Sequence, residues 1–163
     1  MLMPGVKIRP IEKDDNSQLA QIIRDTLTEF KANKPGTVYY DKTTDNLFQL
    51  FQQPRSIYYV ALIDEEIVGG GGIFPSEGLP EDTCELVKMY LLPEARGIGL
   101  GKRIIEDCID FAKANGYSHI YIESMPELEN ALRVYAKFGF KYLDAPLGNT
   151  GHHGCEKWML LSL

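Results

Sequence analysis

Arg96-Gly97-Ile98-Gly99-Leu100-Gly101 reads R-x-x-G-x-G and lies between a strand-like run and an amphipathic helical repeat. Glycine at alternate positions lets backbone approach a ligand with no Cβ in the way. A helix opened by such a turn aims its unpaired N–H groups, and the positive end of its dipole, at whatever sits there. An anion suits that place, and a phosphate or diphosphate suits it best. Arg96 and Lys102 add full positive charge on either side. Two other phosphate loops fail on particular residues. A dinucleotide fingerprint needs glycine where Lys102 stands, and a P-loop needs glycine at Arg96 and a hydroxyl at Arg103. A bare strand-to-helix connection would need fewer glycines.

Outward from this turn the chain alternates strands and helices. Residues 6–10 alternate like a short strand. Asn16 and Ser17 offer N-cap oxygens to a helix carrying Leu19, Ile22, Ile23, Leu27 and Phe30 at helical spacing, which Lys34-Pro35-Gly36 ends. A shorter helix over 44–51 is expected to bury Leu47, Phe48, Leu50 and Phe51. Residues 57–63 and 67–74 read as a hairpin turned by Asp64-Glu65-Glu66. Gly69 to Gly72 inside its second strand point to a bulge or to a face kept bare for a neighbour. A strand over 85–92 leads into the glycine turn. The helix beyond it repeats Leu100, Ile104, Ile105, Cys108, Phe111 and Ala112 and closes at Asn115-Gly116. Residues 120–123 form a strand, 127–137 a helix, and 140–143 and 157–161 the last strands. The expected fold is α/β: a single mixed, mostly antiparallel central sheet of about seven strands with flanking helices, in one domain over 1–163.

Composition is that of an ordinary globular chain, with 44% hydrophobic and 25% charged residues. A net charge of −6 speaks against nucleic acid and is compatible with a cationic acceptor. Cys84, Cys108 and Cys155 form no C-x-x-C pair and are odd in number, which reads as reduced thiols in the cytoplasm. The start Met1-Leu2-Met3-Pro4-Gly5 shows no leader peptide, and no apolar run is long enough to span a membrane.

Four pieces in order resemble the GNAT superfamily of acyl-CoA-dependent N-acyltransferases. They are the strand Cys84-Glu85-Leu86-Val87-Lys88-Met89-Tyr90-Leu91-Leu92-Pro93, the R-x-x-G-x-G turn, the strand Ser118 to Glu123, and Asn130-x-x-x-x-Tyr135-x-Lys137-x-Gly139-Phe140. The resemblance implies a GNAT-like acyl-CoA N-acyltransferase fold. It implies an N-acetyltransferase that moves an acetyl group directly from acetyl-CoA to a primary amine of a small molecule or peptide. A homodimer is compatible with it. No metal and no membrane partner are implied.

The resemblance also assigns residues. The diphosphate of acetyl-CoA falls to Arg96, Gly97, Ile98, Gly99, Leu100, Gly101 and Lys102. Met89, Tyr90 and Leu91 correspond to the bulged central strand whose freed N–H groups meet the pantetheine arm and thioester; read alone, they are a buried strand. Asn130 matches the family's CoA-contacting asparagine, or is a solvated residue near a helix start. Tyr135 is the candidate general acid, since a phenol keeps its proton at neutral pH; read alone, it fills the helix–sheet core. Glu85 is the candidate general base, because a carboxylate within a buried strand is costly without a role or partner; the alternative is an ion pair or a solvated strand end. Glu123 stands second for that role.

His152-His153 suggests no metal, because adjacent histidines share one ion poorly and no full ligand set is spaced nearby. Nothing in the sequence pairs Cys155 with a base, as a nucleophile would require. The acceptor mouth is expected from residues 34–51 and the loop 145–155. There Tyr39, Tyr40, Asp41 and Asp45 suit an ammonium, unless the tyrosines only pack the helix connection. Two rivals remain open at this point: a non-catalytic CoA-binding regulatory domain, and a transferase of longer acyl groups.

Overall fold

A computed structural model describes residues 3–163. Met1 and Leu2, part of the start read above as lacking a leader peptide, lie outside the described residues. The strands are β1 (Val6–Pro10), β2 (Ile57–Ile63), β3 (Glu66–Phe74), β4 (Thr83–Leu91), β5 (His119–Ser124), β6 (Lys141–Leu143) and β7 (Lys157–Ser162). They form one sheet in the order β1-β2-β3-β4-β5-β7-β6. Every neighbouring pair is antiparallel except β4 and β5. The parallel pair exists because helix α3 (Leu100–Ala114) carries the chain back across the sheet, which a tight hairpin cannot do. The mixed, mostly antiparallel seven-stranded sheet is therefore as expected.

Helices α1 (Asn16–Glu29) and α2 (Leu47–Leu50) cover one face, where Leu19, Ile23, Leu27 and Leu47 pack on Val60, Leu62 and Val87. Helices α3 and α4 (Glu129–Lys137) cover the other, where Ile104, Ile105, Cys108 and Leu132 pack on Ala61, Ile73 and Leu86. The 3.6-residue period of the buried positions is what gives α1 and α3 one apolar stripe each.

Some local expectations are corrected. The helix expected over 44–51 is split into a 3₁₀ turn (Lys42–Asp45) and the single α-turn α2, with Asn46 at φ −132° between them. Side chains divide the work: Asp41 accepts from the Thr43 N–H, and Asn16 Oδ1 accepts from the Phe48 N–H. Asn16 thus ties the start of α2 rather than capping α1, whose N-cap position is Asp15. Phe48 and Leu50 are only half-buried, as are Phe30 and Phe111. The hairpin turn is Asp64-Glu65, both with positive φ, as a two-residue type I′ connection demands.

The glycine run in β3 does both things expected of it. A Cβ on Gly70 would stand 2.4 Å from the Tyr59 carbonyl oxygen and 2.6 Å from the Tyr58 ring. The Tyr58 ring lies across this bare face, and its hydroxyl donates to the Lys88 carbonyl at 2.7 Å. Against β4 the register slips: Gly70 faces Tyr90 and Gly72 faces Val87, so Lys88 and Met89 share the single partner Gly71. Lys88 takes φ +52° at this bulge. Strand β4 pairs with β5 only from Thr83 to Glu85, and beyond that the two strands part.

Candidate active site

A cavity of about 450 Å³ fills the gap where β4 leaves β5, a size common for small-molecule clefts. Met89, Tyr90 and Leu91 form one wall, and Arg96, Gly97, Gly99, Gly101 and Lys102 close one end. Asn130 and Tyr135 line it from α4. Ile98 and Leu100 do not line it: Leu100 is fully buried and Ile98 packs against the core, leaving only their backbone for a ligand.

The glycines of the turn divide their duties. Gly97 (φ +76°) and Gly99 (φ +83°) need the left-handed conformation, and a Cβ on either would meet nothing within 4 Å. The space above them is an open cradle, and α3 begins there with no side-chain cap on its first N–H groups. Gly101 differs, because its Cβ would press on Leu91 Cδ1 at 3.3 Å; this glycine lets α3 close on β4. Arg96 is less free than its sequence position suggests. It donates twice to Glu29, at 2.7 and 2.8 Å, and once to the Leu91 carbonyl at 3.0 Å, while stacking over Phe30. Lys102 is exposed beside the cradle. Asn130 is exposed and accepts from Arg133.

Tyr135 is 6% exposed, its ring tilted against Phe140 at 5.9 Å between centroids. Burial raises its pKa well above the ordinary phenol value, so the hydroxyl stays protonated at neutral pH. That hydroxyl has no hydrogen-bond partner among the described residues, although its ring borders the cavity.

Glu85 is 2% exposed. It lines a second, water-sized cavity of about 30 Å³, which shares Tyr90 and Glu123 with the larger one. Burial pushes its pKa to about 7, against the pull of a hydrogen bond from Ser76 and of nearby His152 and Lys88. Glu123 accepts from the Tyr121 hydroxyl at 2.8 Å and from Thr150, and His152 Nδ1 stands 3.6 Å away. The sequence spaces no full ligand set near the histidines, but the fold brings ligand-type atoms of Glu85, Glu123 and His152 within 4.8 Å of one another. His152 Nε2, however, bonds Asp41 at 2.9 Å. Burial opposes charge on this ring, but Asp41 and Glu123 outweigh it and raise its pKa to about 9. Its Nε2 is thus engaged by Asp41, and only Nδ1 faces Glu123. The Cys155 thiol is pushed up to about 12 by burial, which suits a buried apolar filler and not a nucleophile.

Where the acceptor mouth is expected, from 34–51 and 145–155, the fold has a cavity of about 320 Å³ lined by Tyr40, Asp41, Thr150, His152 and His153. Sequence reasoning missed Lys88, which is buried beside Asp41 (Nζ to Oδ2 3.7 Å), and missed His152 as the link between the mouth and Glu85. A lone lysine within the apolar run from Leu86 to Leu92 was the available signal.

Residues 18–140 match the family model described as Acetyltransferase (GNAT) family. The uncharacterized N-acetyltransferase YjgM of Escherichia coli (strain K12) is 39% identical over 158 residues, spanning 96% of this chain and 94% of that one. Among solved structures, a GNAT-family acetyltransferase of Staphylococcus aureus Mu50 superposes with a TM-score of 0.81 at 16% identity, covering 96% of this chain and 98% of that one. YncA of Salmonella typhimurium, solved with its cofactor acetyl-CoA, gives 0.74 at 17% identity over 97% and 94%. Among the described residues no helix is long and apolar enough to cross a membrane.

Proposed function

The chain belongs to the GNAT family of acetyltransferases, and from that premise we propose that it works as one domain and transfers acetyl directly from acetyl-CoA to a primary amine. The observation that carries the reading is the cavity between β4 and β5, with the open glycine cradle at one end and Tyr135 along its wall. The diphosphate suits the uncapped N–H groups of α3 over Gly97 and Gly99, with Lys102 adding charge. Since Glu29 already matches Arg96, the anion falls chiefly to backbone donors. The bulged stretch Lys88 to Leu91 lacks a β5 partner, so its backbone groups suit the pantetheine arm and the thioester carbonyl.

In this reading the amine nitrogen bonds to the carbonyl carbon as the carbon–sulfur bond breaks. Glu85 takes the proton that the amine sheds, through the cavity with room for one water. Tyr135 supplies a proton to the departing thiolate. The acceptor enters by the mouth at Asp41 and His152. Three unpaired, buried cysteines are in keeping with a reducing compartment. The test is thiol release from acetyl-CoA in the presence of an amine panel. Release that depends on the amine and is lost in Glu85→Gln supports the reading; release equally fast without any amine sinks it.

A further inference from the structure

Between the mouth and the water-sized cavity runs a chain of alternating charges: Lys88, Asp41, His152 and Glu123. Asp41 and Asp45, the acids that suit an ammonium in the sequence, are already matched. Asp41 holds His152 at 2.9 Å and faces Lys88, and Asp45 takes two hydrogen bonds from Arg24 at 2.6 and 3.0 Å. A second ammonium there would meet two resident cations.

Lys88 is in the opposite condition. Its side chain is 3% exposed, yet its ammonium makes no hydrogen bond among the described residues, and the nearest carboxylate oxygen, at 3.7 Å, is beyond hydrogen-bonding reach. Its one ionic partner, Asp41, is shared with His152 and lies too far for a hydrogen bond, so the donors of Lys88 are open to a ligand. It lines the small cavity with Glu85 and His152 and also borders the larger one, so its amino group stands near the candidate base. The mouth leading in is sized for a small molecule.

We propose that the acceptor is a small zwitterion of the amino-acid type, whose carboxylate is held by Lys88 while its amine turns toward Glu85. The proposal rests on the acetyl-transfer reading above. A carboxylate close to the amine answers both ends of the wall at once: it supplies the acceptor oxygens that Lys88 lacks and leaves the amine beside a carboxyl group. Straight-chain diamines supply neither, and they bring charge of the wrong sign to Lys88 and His152.

The experiment compares kcat/KM for thiol release across free amino acids, their carboxamides and methyl esters, and straight-chain diamines. At least one free amino acid should exceed its own carboxamide by more than about tenfold, or roughly 1.4 kcal/mol. Lys88→Met should raise the KM for that amino acid and bring the acid-to-carboxamide ratio to near one. Equal rates on acid and carboxamide, or turnover of diamines alone, would overturn the proposal while leaving acetyl transfer standing. No release with any amine would overturn acetyl transfer and the proposal together. Because the panel on the unmodified protein decides by itself, a Lys88→Met that fails to fold does not protect the idea.

Discussion

The Ser76 hydroxyl donates to Glu85 Oε1 at 2.5 Å, fastening the loop after β3 to the one carboxylate inside β4. That hydrogen bond favours the charged form, and burial outweighs it, leaving Glu85 with a pKa of about 7. If the ionised form is the working base, the rate should rise with pH through about 7 and level off above it. Glu85→Gln should remove this limb and lower kcat by about 10²-fold or more. A pH–rate profile that keeps its wild-type shape in the mutant would move the base to Glu123.

His152 and Asp41 make stability depend on pH at the alkaline end. The folded imidazole titrates near 9 and the unfolded one near 6.5. The folded state therefore holds the proton more tightly, and the pair's contribution is complete below about 6.5 and drains away as pH climbs toward 9. Chemical denaturation should show a loss on the order of 1–3 kcal/mol across that window. Asp41→Asn should flatten the slope; a mutant with the wild-type slope would assign the proton to another group.

Tyr135→Phe keeps the ring against Phe140 and removes only the hydroxyl. Turnover should fall by about 10²–10⁴-fold while acetyl-CoA affinity stays near its original value. A drop below roughly threefold in steady-state kcat would show that the thiolate needs no donor from this residue.

Gly99 can be probed without confusing strain with charge. Asparagine and aspartate tolerate its left-handed backbone better than other residues, and they have nearly the same shape. Gly99→Asp should bind acetyl-CoA at least about tenfold more weakly than Gly99→Asn by calorimetry. Equal affinities would take the phosphates away from the cradle.

Gly70→Ala should destabilise the fold by more than about 2 kcal/mol, because the new Cβ would collide with the Tyr59 carbonyl at 2.4 Å and the Tyr58 ring at 2.6 Å. A thermal melt within a degree or two of the original would mean that β2 and β3 separate easily.

The sheet and the glycine turn were legible because their signals are local. A run of branched residues, a glycine turn and a tyrosine before Gly139-Phe140 each speak within a few positions. Even there, the turn's glycines looked alike in sequence, and only packing separates Gly101 against Leu91 from the open pair Gly97 and Gly99. The charged wall around Glu85 and His152 was far less legible. His152 meets Asp41 across 111 residues, and nothing near either one announces the other. Asp41 looked like a free acid because its neutralising partners come from distant strands and loops, and the inward turn of Lys88 went unread because alternation cannot reveal a bulge.

The extra residue in β4 acts on the strand as a one-letter insertion acts on a reading frame. Before it, odd-numbered Val87 packs toward α1 and even-numbered Leu86 toward α3; after it, even-numbered Tyr90 packs toward α1 while Met89 and Leu91 have crossed to the α3 side. The wall that Glu85, Lys88 and Tyr90 share is thus spliced from two phases of the same strand. Deleting a single residue at the splice would restore strict alternation with Tyr90 still opposite Gly70 on the α1 side, but would leave no place in which Lys88 joins it on that wall. Anyone redesigning this strand by counting in twos will, from Lys88 onward, be editing the opposite face.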